Sequence, residues 1–369
     1  MELKIRALDI ADDIGVAKKS ISLPGSSITT PTKSIKCINI KNYPKEEKIN
    51  EISKRINLKT LENFHEKEGF SNAFCKNVKN NFLPDCFNFV FFYLIASQVP
   101  SDDLTTTLAH VIYPASDKVI CLPSVQKGML MSPTPSGKSQ RLDDKKVSNY
   151  LHFQEKIIDA VNLKNSKLIM GMIPILPPKY TKQIIDLYFR KGISNFVIDS
   201  GTGNIFNKET NLRSILDSIN THAKEDNRSL ADTYIHAINL GINHFSADEV
   251  SADDFLSLFA YIDTFGTKFK TRGKFDVKTE PRYKVFLRER YAYKLLDRIP
   301  ENDPLARMKK ERRYTKIIAF NEQQQFAETI KVKEMVGNEK MERYIKSKRA
   351  VSEVVYKKLR NIFSKIKIG

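Results

Sequence analysis

Acidic and hydroxyl side chains stand at the ends of several apolar runs of strand length. Ser124 follows one run, Asp199 closes the run that starts at Phe196, and Asp263 closes Tyr261-Ile262-Asp263. The carboxyl ends of parallel strands carry the chemistry of α/β folds because the loops there converge on one crevice. Two carboxylates at one such mouth can divide the work of glycosidic-bond chemistry, one attacking a sugar carbon and the other moving a proton. We therefore expect Asp199 and Asp263 to be catalytic, with a helix N-cap as the alternative for either residue.

Neighbouring polar residues complete a candidate binding site. Ser200 and Gly201 follow Asp199 directly, and His236 and Asn239 lie along the apolar run from Tyr234 to Leu240. We expect these four residues and Ser124 to bind the substrate. For His236, which lies inside an apolar run, the alternative is a hydrogen-bonded core histidine.

The elements that must position these residues alternate regularly. Lys167 to Gly203 contains an apolar run, a helical pattern and a second apolar run, which is a βαβ unit. The alternation of strand and helix continues to Asp263, with earlier strands at Phe87–Ala96 and Lys118–Leu122 and a further one expected at Lys316–Phe320. Runs this apolar are typical of parallel strands that are buried on both faces. The count approaches eight strands, which favours a (β/α)8 TIM-type barrel over an open sheet.

The predicted organisation has three parts. Residues 1–45 read as N-terminal strands that cap the barrel, with a turn at Leu23-Pro24-Gly25. Residues 46–330 form the (β/α)8 barrel, in which residues 41–82 read as solvated helices with apolar positions at Ile49, Ile52 and Ile56. Residues 331–369 form a basic, largely helical C-terminal extension.

Positive charge is concentrated in the last part of the chain. The formal net charge is +18, and residues 267–369 hold 29 Lys+Arg against 13 Asp+Glu, so +16 of it lies there. This asymmetry favours a polyanion-binding appendage, with nucleic acid as the commonest partner; the alternative is a generally lysine-rich, solvated surface. In the last helix an apolar stripe of Val351, Val355, Leu359, Ile362 and Ile366 predicts packing against the body. The opposite face carries the candidate phosphate contacts Lys357, Lys358, Arg360 and Lys365.

Other functional classes are disfavoured by the sequence. The four cysteines are widely spaced without a C-x-x-C pair, so we expect buried thiols and no metal site. Ser136-Gly137-Lys138-Ser139 lacks the glycine and the preceding strand of a phosphate-binding loop, so we read it as part of a basic lid and expect no cofactor. No apolar run reaches the about 18 residues of a membrane span, and the N-terminus lacks the layout of a secretory signal. We expect a cytoplasmic protein.

Several segments also follow one another in a recognisable order: GSSITTPTKS at 25–34, then 118–124, 171–175, 195–203, 234–241 and 261–266. This order resembles the tRNA-guanine transglycosylase superfamily, barrel enzymes that exchange guanine for a 7-deazaguanine. The resemblance implies that Asp263 attacks C1′ of a guanosine, that guanine leaves, and that a 7-deazaguanine such as preQ0 resolves the intermediate. Asp199 is then the carboxylate that removes the N9 proton. The target base has to leave its stack to reach the mouth.

Three departures from that family's pattern are visible. An early Asp-Ser-Gly-Gly segment is missing, Ser124 stands where a base-reading Asp is expected, and the Cys-x-Cys-x-x-Cys zinc site is absent. These differences favour a divergent, zinc-less member, such as the branch that inserts 7-deazaguanines into DNA. The alternatives are a catalytically inactive barrel that binds nucleic acid or acts as a scaffolding subunit, and an unrelated barrel enzyme for a phosphorylated metabolite. The choice between DNA and tRNA, and between a homo-oligomer and a partner subunit, stays open.

Overall fold

Two parallel β-sheets form the centre of the structure. The computed structural model describes residues 3–11, 14–36, 49–134, 140–164, 166–201, 203–242, 248–266, 283–306, 314–337 and 340–363. Within these ranges the fold is mixed α/β, with helices packed outside the parallel strands.

The larger sheet has six parallel strands in the order β4-β16-β14-β13-β12-β8. Their bounds are β4 Thr32–Lys33, β8 Val119–Cys121, β12 Leu168–Pro174, β13 Phe196–Asp199, β14 Ile235–Ile238 and β16 Thr264–Phe265. Phe196 pairs with Ile235 and Asp199 with Ile238, so these two strands run in register to their carboxyl ends. The buried runs predicted from the sequence at β8, β12, β13 and β14 are confirmed.

The smaller sheet has four parallel strands in the order β5-β6-β7-β9. Their bounds are β5 Ile35–Lys36, β6 Ile49–Asn57, β7 Phe87–Ile95 and β9 Ser124–Val125. Only Ser34 separates β4 from β5, and only Leu122-Pro123 separates β8 from β9. Both edges of the smaller sheet therefore continue into edges of the larger one.

Amphipathic helices connect the strands and cover their outer faces. The helices are α1 Leu58–Glu66, α2 Glu68–Lys79, α3 Asp102–Ala115, α4 Asp144–Asn162, α5 Pro178–Arg190, α6 Glu209–Glu225, α7 Asp253–Leu256, α8 Tyr314–Met335, α9 Met341–Lys346 and α10 Glu353–Phe363. Asn57 caps α1 by accepting a hydrogen bond from Thr60 N, and Asp143 caps α4 by accepting from Lys145 N and Lys146 N. The apolar faces of the helices merge with the strands into one continuous core.

Antiparallel strands flank this centre. Near the N-terminus, β1 Lys4–Ala11, β2 Val16–Leu23 and β3 Ser26–Thr29 form one sheet, and Gly25 makes the predicted turn with φ +74°. Near the C-terminus, β15 Glu249–Ser251, β17 Lys284–Leu287 and β18 Ala292–Leu295 form another. The hairpin of β10 Met131–Pro133 and β11 Gln140–Leu142 stands where the sequence suggested one long loop. The Ser-Gly-Lys-Ser motif at 136–139 lies outside the described residues.

The C-terminal helix α10 packs against the body through its apolar stripe, as predicted. Val351, Leu359 and Ile362 are buried, and the Phe363 ring stacks on Tyr261 with centroids 5.7 Å apart. Of the other two stripe residues, Val355 is half-buried against the core, and Ile366 lies outside the described residues. On the outside of the fold α10 packs beside α6, and α7 between β15 and β16 has a single turn.

A buried ion pair ties the C-terminal segments together. Lys348 Nζ lies 3.1 Å from Glu328 Oε1, and both side chains are almost fully buried. Tyr291 OH donates to the same carboxylate at 2.7 Å, and Tyr344 OH donates to it as well. Lys348 also lies over both tyrosine rings. Among the described residues no group of three or more His, Cys, Asp or Glu side chains is placed to hold a metal ion.

Three predicted elements were wrong. Residues 49–57 are a strand and not a helix, because the apolar residues Ile52 and Ile56 face the helices while polar residues alternate with them. Lys316–Phe320 is the start of α8, since strong helix formers follow it without a break. The strand expected at Tyr261–Asp263 begins only at Thr264, and Tyr261 has a positive φ of 58° that ends regular structure there.

The cysteines that the structure describes, Cys75, Cys86 and Cys121, are buried free thiols, as predicted. Cys37 lies outside the described residues. None of the helices in the described part of the chain has the length and apolarity to cross a bilayer.

Candidate functional site

Asp199 is the centre of a hydrogen-bonded cluster at the carboxyl end of the larger sheet. Ser124 Oγ donates to Asp199 Oδ2, while Asn239 Nδ2 donates to Asp199 Oδ1 at 2.9 Å and Gly201 N donates to the same oxygen at 2.8 Å. Asp199 is 5% exposed. The three residues come from three different strand ends, so the structure brings together side chains that lie far apart in the sequence. Four of the residues expected at the site, Ser124, Asp199, Gly201 and Asn239, are thus in direct contact with one another.

Backbone conformation positions two members of this cluster. Asn239 ends β14 with φ +56°, and Gly201 follows β13 with φ +58°. Such left-handed conformations are uncommon for a residue other than glycine, and they recur at sites where a side chain must be aimed. At Asn239 the conformation accompanies a side chain that donates to Asp199. Ser200 has a different role, since its hydroxyl donates to the carbonyl of Gly203 and stabilises the turn.

Arg55 and Tyr93 belong to the same mouth, and the sequence analysis missed both. Arg55 pairs with Tyr93 across β6 and β7, and Tyr93 pairs with Ser124 across β7 and β9. Burial and the nearby charge of Asp199 raise the pKa of Tyr93, while the Arg55 guanidinium opposes that rise. Arg55 itself is exposed. The signal available in the sequence was the alternation of polar residues at 51, 53 and 55, which the helical reading of this segment hid.

His236 lies deeper in the interior, paired with a carboxylate that the sequence analysis did not consider. Its Nε2 atom is 2.8 Å from Glu51 Oε1, and both side chains are fully buried. Its Nδ1 atom is 2.7 Å from Thr264 Oγ1, and its ring stacks on Phe91 with an interplanar angle of 4°. Phe91 lies two residues before Tyr93 on the same face of β7. The His236–Glu51 pair is therefore about 7 Å deeper in the interior than the Asp199 cluster.

Asp263 lies at the other end of its strand from the position we expected. It precedes β16, and its Oδ2 atom accepts a hydrogen bond from Ile235 N, at the first residue of β14. Asp199 pairs with Ile238, which lies three residues after Ile235 on β14, so the two aspartates are separated by roughly 10 Å along the strand direction. The expectation that Asp263 and Asp199 share one mouth is therefore wrong on strand geometry.

The environment of Asp263 is a buried ion pair. Lys19 Nζ lies 2.9 Å from Asp263 Oδ1 and also donates to the carbonyl of Thr233 at 2.7 Å. Burial lowers the pKa of Lys19 and raises that of Asp263, and the attraction between the two opposes both shifts. This contact attaches the N-terminal sheet to the first residues of β14 and β16.

A second acidic side chain with a raised pKa lies near the turn that follows Asp199. Asn204 Nδ2 donates to Asp253 Oδ2, and Asp253 is buried at the start of α7. Burial raises the pKa of Asp253 to about 6, with the neighbouring charge of Asp254 adding to the rise and Lys358 opposing it. Asp253 can therefore change its protonation state near neutral pH.

The predicted phosphate contacts are distributed as follows. Lys357 and Arg360 are exposed on α10, Lys358 is partly buried, and Lys365 lies outside the described residues.

Two surface hollows lie away from the mouth. One of about 470 Å³ is lined by residues of α1, α2 and α3, including His65 and His110. The other, of about 810 Å³, lies at the amino ends of β12 and β13 and includes Lys167 and Asn195. Segments 37–48, 243–247 and 267–282, which follow strands that end at the mouth, lie outside the described residues. The candidate site is thus defined by the polar side chains that cluster around Asp199.

Comparison of the chain with known protein families and with curated proteins found no match. The site therefore has to be interpreted from its own geometry.

Proposed function

We propose that this chain is a base-exchange transglycosylase, which replaces guanine in a nucleic acid with a 7-deazaguanine on a (β/α)8 barrel. The observation that carries the proposal is the Asp199 cluster, because its donors and acceptors match one edge of guanine. The resemblance in segment order supports the same reading.

The proposed barrel joins the two parallel sheets into one ring. The smaller sheet continues into the larger one at residues 32–36 and again at 119–125, and neighbours around the ring are neighbours in sequence. Followed from Ile49 once around this ring, the registers of the paired strands return to β6 displaced by about seven residues, which supports the proposal because a (β/α)8 barrel has a stagger of about eight. Inward residues then alternate along β6 and β7, with Glu51 paired to Phe89 and Arg55 to Tyr93.

Guanine recognition follows from the chemistry of the cluster. A carboxylate accepts hydrogen bonds at both oxygens, so Asp199 can take the N1–H and N2–H₂ donors of the base. The amide of Asn239, which has two N–H hydrogens, is a donor that suits the acceptor O6 on the same edge. The single N–H of Gly201 is donated to Asp199 Oδ1 and orients that carboxylate. Buried polar groups of this kind discriminate strongly against a base that leaves them unpaired. Adenine lacks the N1–H and N2–H₂ donors, so we expect it to bind much more weakly.

We propose that exposed cations hold the phosphates of the nucleic acid. Arg55 at the mouth and Lys357 and Arg360 on α10 are exposed cations. Phosphate contacts of this kind are independent of sequence and sensitive to salt. Either DNA or tRNA fits this description, and the target guanosine would have to be flipped into the mouth.

Incorporation of labelled base tests the proposal. The protein is incubated with radiolabelled guanine and, in separate reactions, with tRNA or double-stranded DNA, and the label in the polymer is counted. We expect incorporation into one of the two polymers and its loss in Asp199→Asn, with His110→Gln, in the distant hollow, as the matched control. Absence of label from both polymers, with guanine and preQ0 alike, would rule the proposal out.

A second candidate function is a nucleic-acid-binding barrel without catalysis. It is favoured by one observation: β16 is followed at the mouth by Gly266, which has no side chain, while Asp263 lies at the opposite end. A scaffold of this kind would bind polynucleotide with steep salt dependence and would not bind free guanine. Titration with guanine therefore separates the two candidates.

A further inference from the structure

The hollow of about 810 Å³ lies at the end of the larger sheet opposite to the Asp199 cluster. Its walls come from the start of β1, the last residue of α4, the turn after α5, the amino ends of β12 and β13, and the segment before β14. Lys4, Gly192 and Arg228 on its rim are exposed, so the hollow is open to solvent. Its volume is that of a site for a small organic molecule.

Asn195 presents an unused hydrogen-bond donor to this hollow. Its Oδ1 atom accepts from Tyr234 N at 3.0 Å, and this bond fixes the orientation of the amide. The side chain is only 6% exposed, yet within the described part of the chain its Nδ2 atom has no hydrogen-bond partner. Buried polar groups are almost always paired, because leaving one unpaired is costly. Asn195 therefore offers two N–H hydrogens, and no acceptor, to a ligand in the hollow.

Ser194 adds a second donor to the lining. It is half-buried, and its hydroxyl has no partner among the residues that the structure describes. A hydroxyl can donate or accept, but the neighbouring amide can only donate. Together the two groups select a ligand group with more than one acceptor oxygen, such as a carboxylate or a phosphate.

Positive charge exceeds negative charge around the hollow. Lys4 is exposed, and Lys167 is half-buried with its Nζ atom on the carbonyls of Tyr113 and Ser116. Neither lysine has a carboxylate partner in the ranges that the structure describes. Asp232, the acidic residue of the lining, already accepts from Ser229 N and Oγ. The remaining lining cations are paired with carboxylates, Lys191 with Glu155 and Asp159 and Arg228 with Asp226. An anion in the hollow thus meets two uncompensated positive charges.

The helix end beside the hollow competes little for these donors. Helix C-termini carry partial negative charge on their free carbonyl groups. At the end of α5, however, Lys191 N donates to the carbonyl of Leu187, and Ile193 N donates to that of Tyr188. Gly192, with φ +73°, makes this closing turn possible. The partial negative charge of this helix end is therefore reduced.

We propose that this hollow is a second binding site, for a small organic anion with a carboxylate or phosphate head and an apolar body. The head accepts from Asn195 Nδ2 and Ser194 Oγ, near the charges of Lys4 and Lys167. The body lies on an apolar wall that also belongs to the lining, formed by Ile5, Leu168 and Ile193. Because the site is at the opposite end of the sheet from Asp199, it goes beyond base exchange and does not depend on it.

Isothermal titration calorimetry of the whole chain at about pH 8 tests this site with three probes that share one benzene ring. Phenyl phosphate and benzoate have anionic heads, and benzyl alcohol has a neutral one. We expect at least one of the two anions to bind with a dissociation constant of about 1 mM or tighter, and the alcohol to bind at least about tenfold more weakly. Binding of one anion alone supports the site and identifies its head group. Equal binding of the alcohol, or no binding of either anion at about 10 mM, would overturn the proposal.

Variants place the bound anion at one end of the sheet or the other. Asn195→Asp keeps an oxygen for Tyr234 N but replaces the Nδ2 donor with an acceptor, so it should weaken anion binding at least about tenfold. Lys4→Gln should weaken it by about threefold, whereas Arg55→Gln, which removes an exposed cation at the mouth, is the matched control and should leave it unchanged.

Circular dichroism shows whether Asn195→Asp folds. If it does not, the double variant Ser194→Ala, Lys4→Gln takes its place, since neither side chain has a partner to lose among the described residues, and it too should weaken binding at least about tenfold. Unchanged affinity in the folded variant, or a loss of binding in Arg55→Gln, would contradict the assignment of the anion to this hollow.

Discussion

Replacing Gly266 with alanine should damage the interior through one identifiable contact. The new Cβ atom would lie 2.6 Å from Glu51 Oε2 and would force the carboxylate to move away from Ser34 and His236. Overpacking of a tight site costs about 1–3 kcal/mol, and weakening hydrogen bonds to a buried charged group costs about 1.5–3 kcal/mol. Since the two effects overlap, we expect Gly266→Ala to lower the free energy of unfolding by about 2–4 kcal/mol.

Urea denaturation followed by circular dichroism measures this loss. Gly69→Ala is the matched control, because a Cβ there meets nothing within 4 Å in the exposed helix α2 and should be neutral or stabilising by up to about 1 kcal/mol. A double-mutant cycle with Glu51→Ala isolates the contact. Once the carboxylate is gone, Gly266→Ala should cost about 1 kcal/mol or less. An equal loss in both backgrounds, or no loss in the wild-type background, would refute the reasoning.

Three further predictions concern other parts of the molecule. Lys348→Met leaves the Glu328 carboxylate buried without its cation and should lower the free energy of unfolding by about 3–5 kcal/mol in chemical denaturation; a loss below about 1 kcal/mol would show that the pair does not tie the C-terminal segments. The pKa of Asp253 is raised to about 6 in the folded state, so its contribution to stability is present at low pH and is lost as pH rises from about 4 to about 6. Relative to wild type, the free energy of unfolding of Asp253→Asn should therefore rise by on the order of 2 kcal/mol between pH 4 and pH 7. A difference between the two proteins that stays constant across that range would contradict the raised pKa. Replacing Lys357 and Arg360 with alanine should weaken nucleic-acid binding and reduce the slope of log affinity against log salt by about 1–2, whereas the same replacement of two exposed lysines of α2 should leave the slope unchanged.

The apolar parallel strands were predictable from the sequence because burial on both faces gives a continuous apolar run. Phe196–Asp199 is such a run, and the structure has the strand with those same bounds. Its end at Asp199 also predicted the centre of the mouth cluster, since the residue after a buried strand must face the loops. Ser124 followed from the same rule, whereas Asn239 was expected only as a polar residue along the apolar run from Tyr234 to Leu240.

The strand β6 and its buried Glu51 were missed because the pattern of this strand is the reverse of the usual one. Its inner face carries Glu51, Ser53 and Arg55, while Ile52 and Ile56 lie beneath the helices. The spacing of its isoleucines fits a helical period as well as a strand, so local sequence could not separate the two. Only the pairing with Phe87–Ile95 decides the matter, and that pairing depends on the whole fold.

Asp263 was misplaced for a related reason. A tyrosine, an isoleucine and an aspartate in sequence read as the end of a strand, but the strand starts one residue later. The side chain that determines this position is Lys19, which pairs with Asp263 from 244 residues away in the sequence. A contact of that separation leaves no local signal.

The central claim, that the Asp199 cluster reads a guanine-like base for exchange, is tested most directly by a crystal structure of the protein soaked with guanine. The account predicts the base at the mouth, with its N1 and N2 atoms within about 3 Å of the Asp199 carboxylate oxygens and with the Asn239 amide donating to O6. Guanine bound only in the hollow at the amino ends of β12 and β13, or absent at millimolar concentration while polynucleotide still binds, would contradict it.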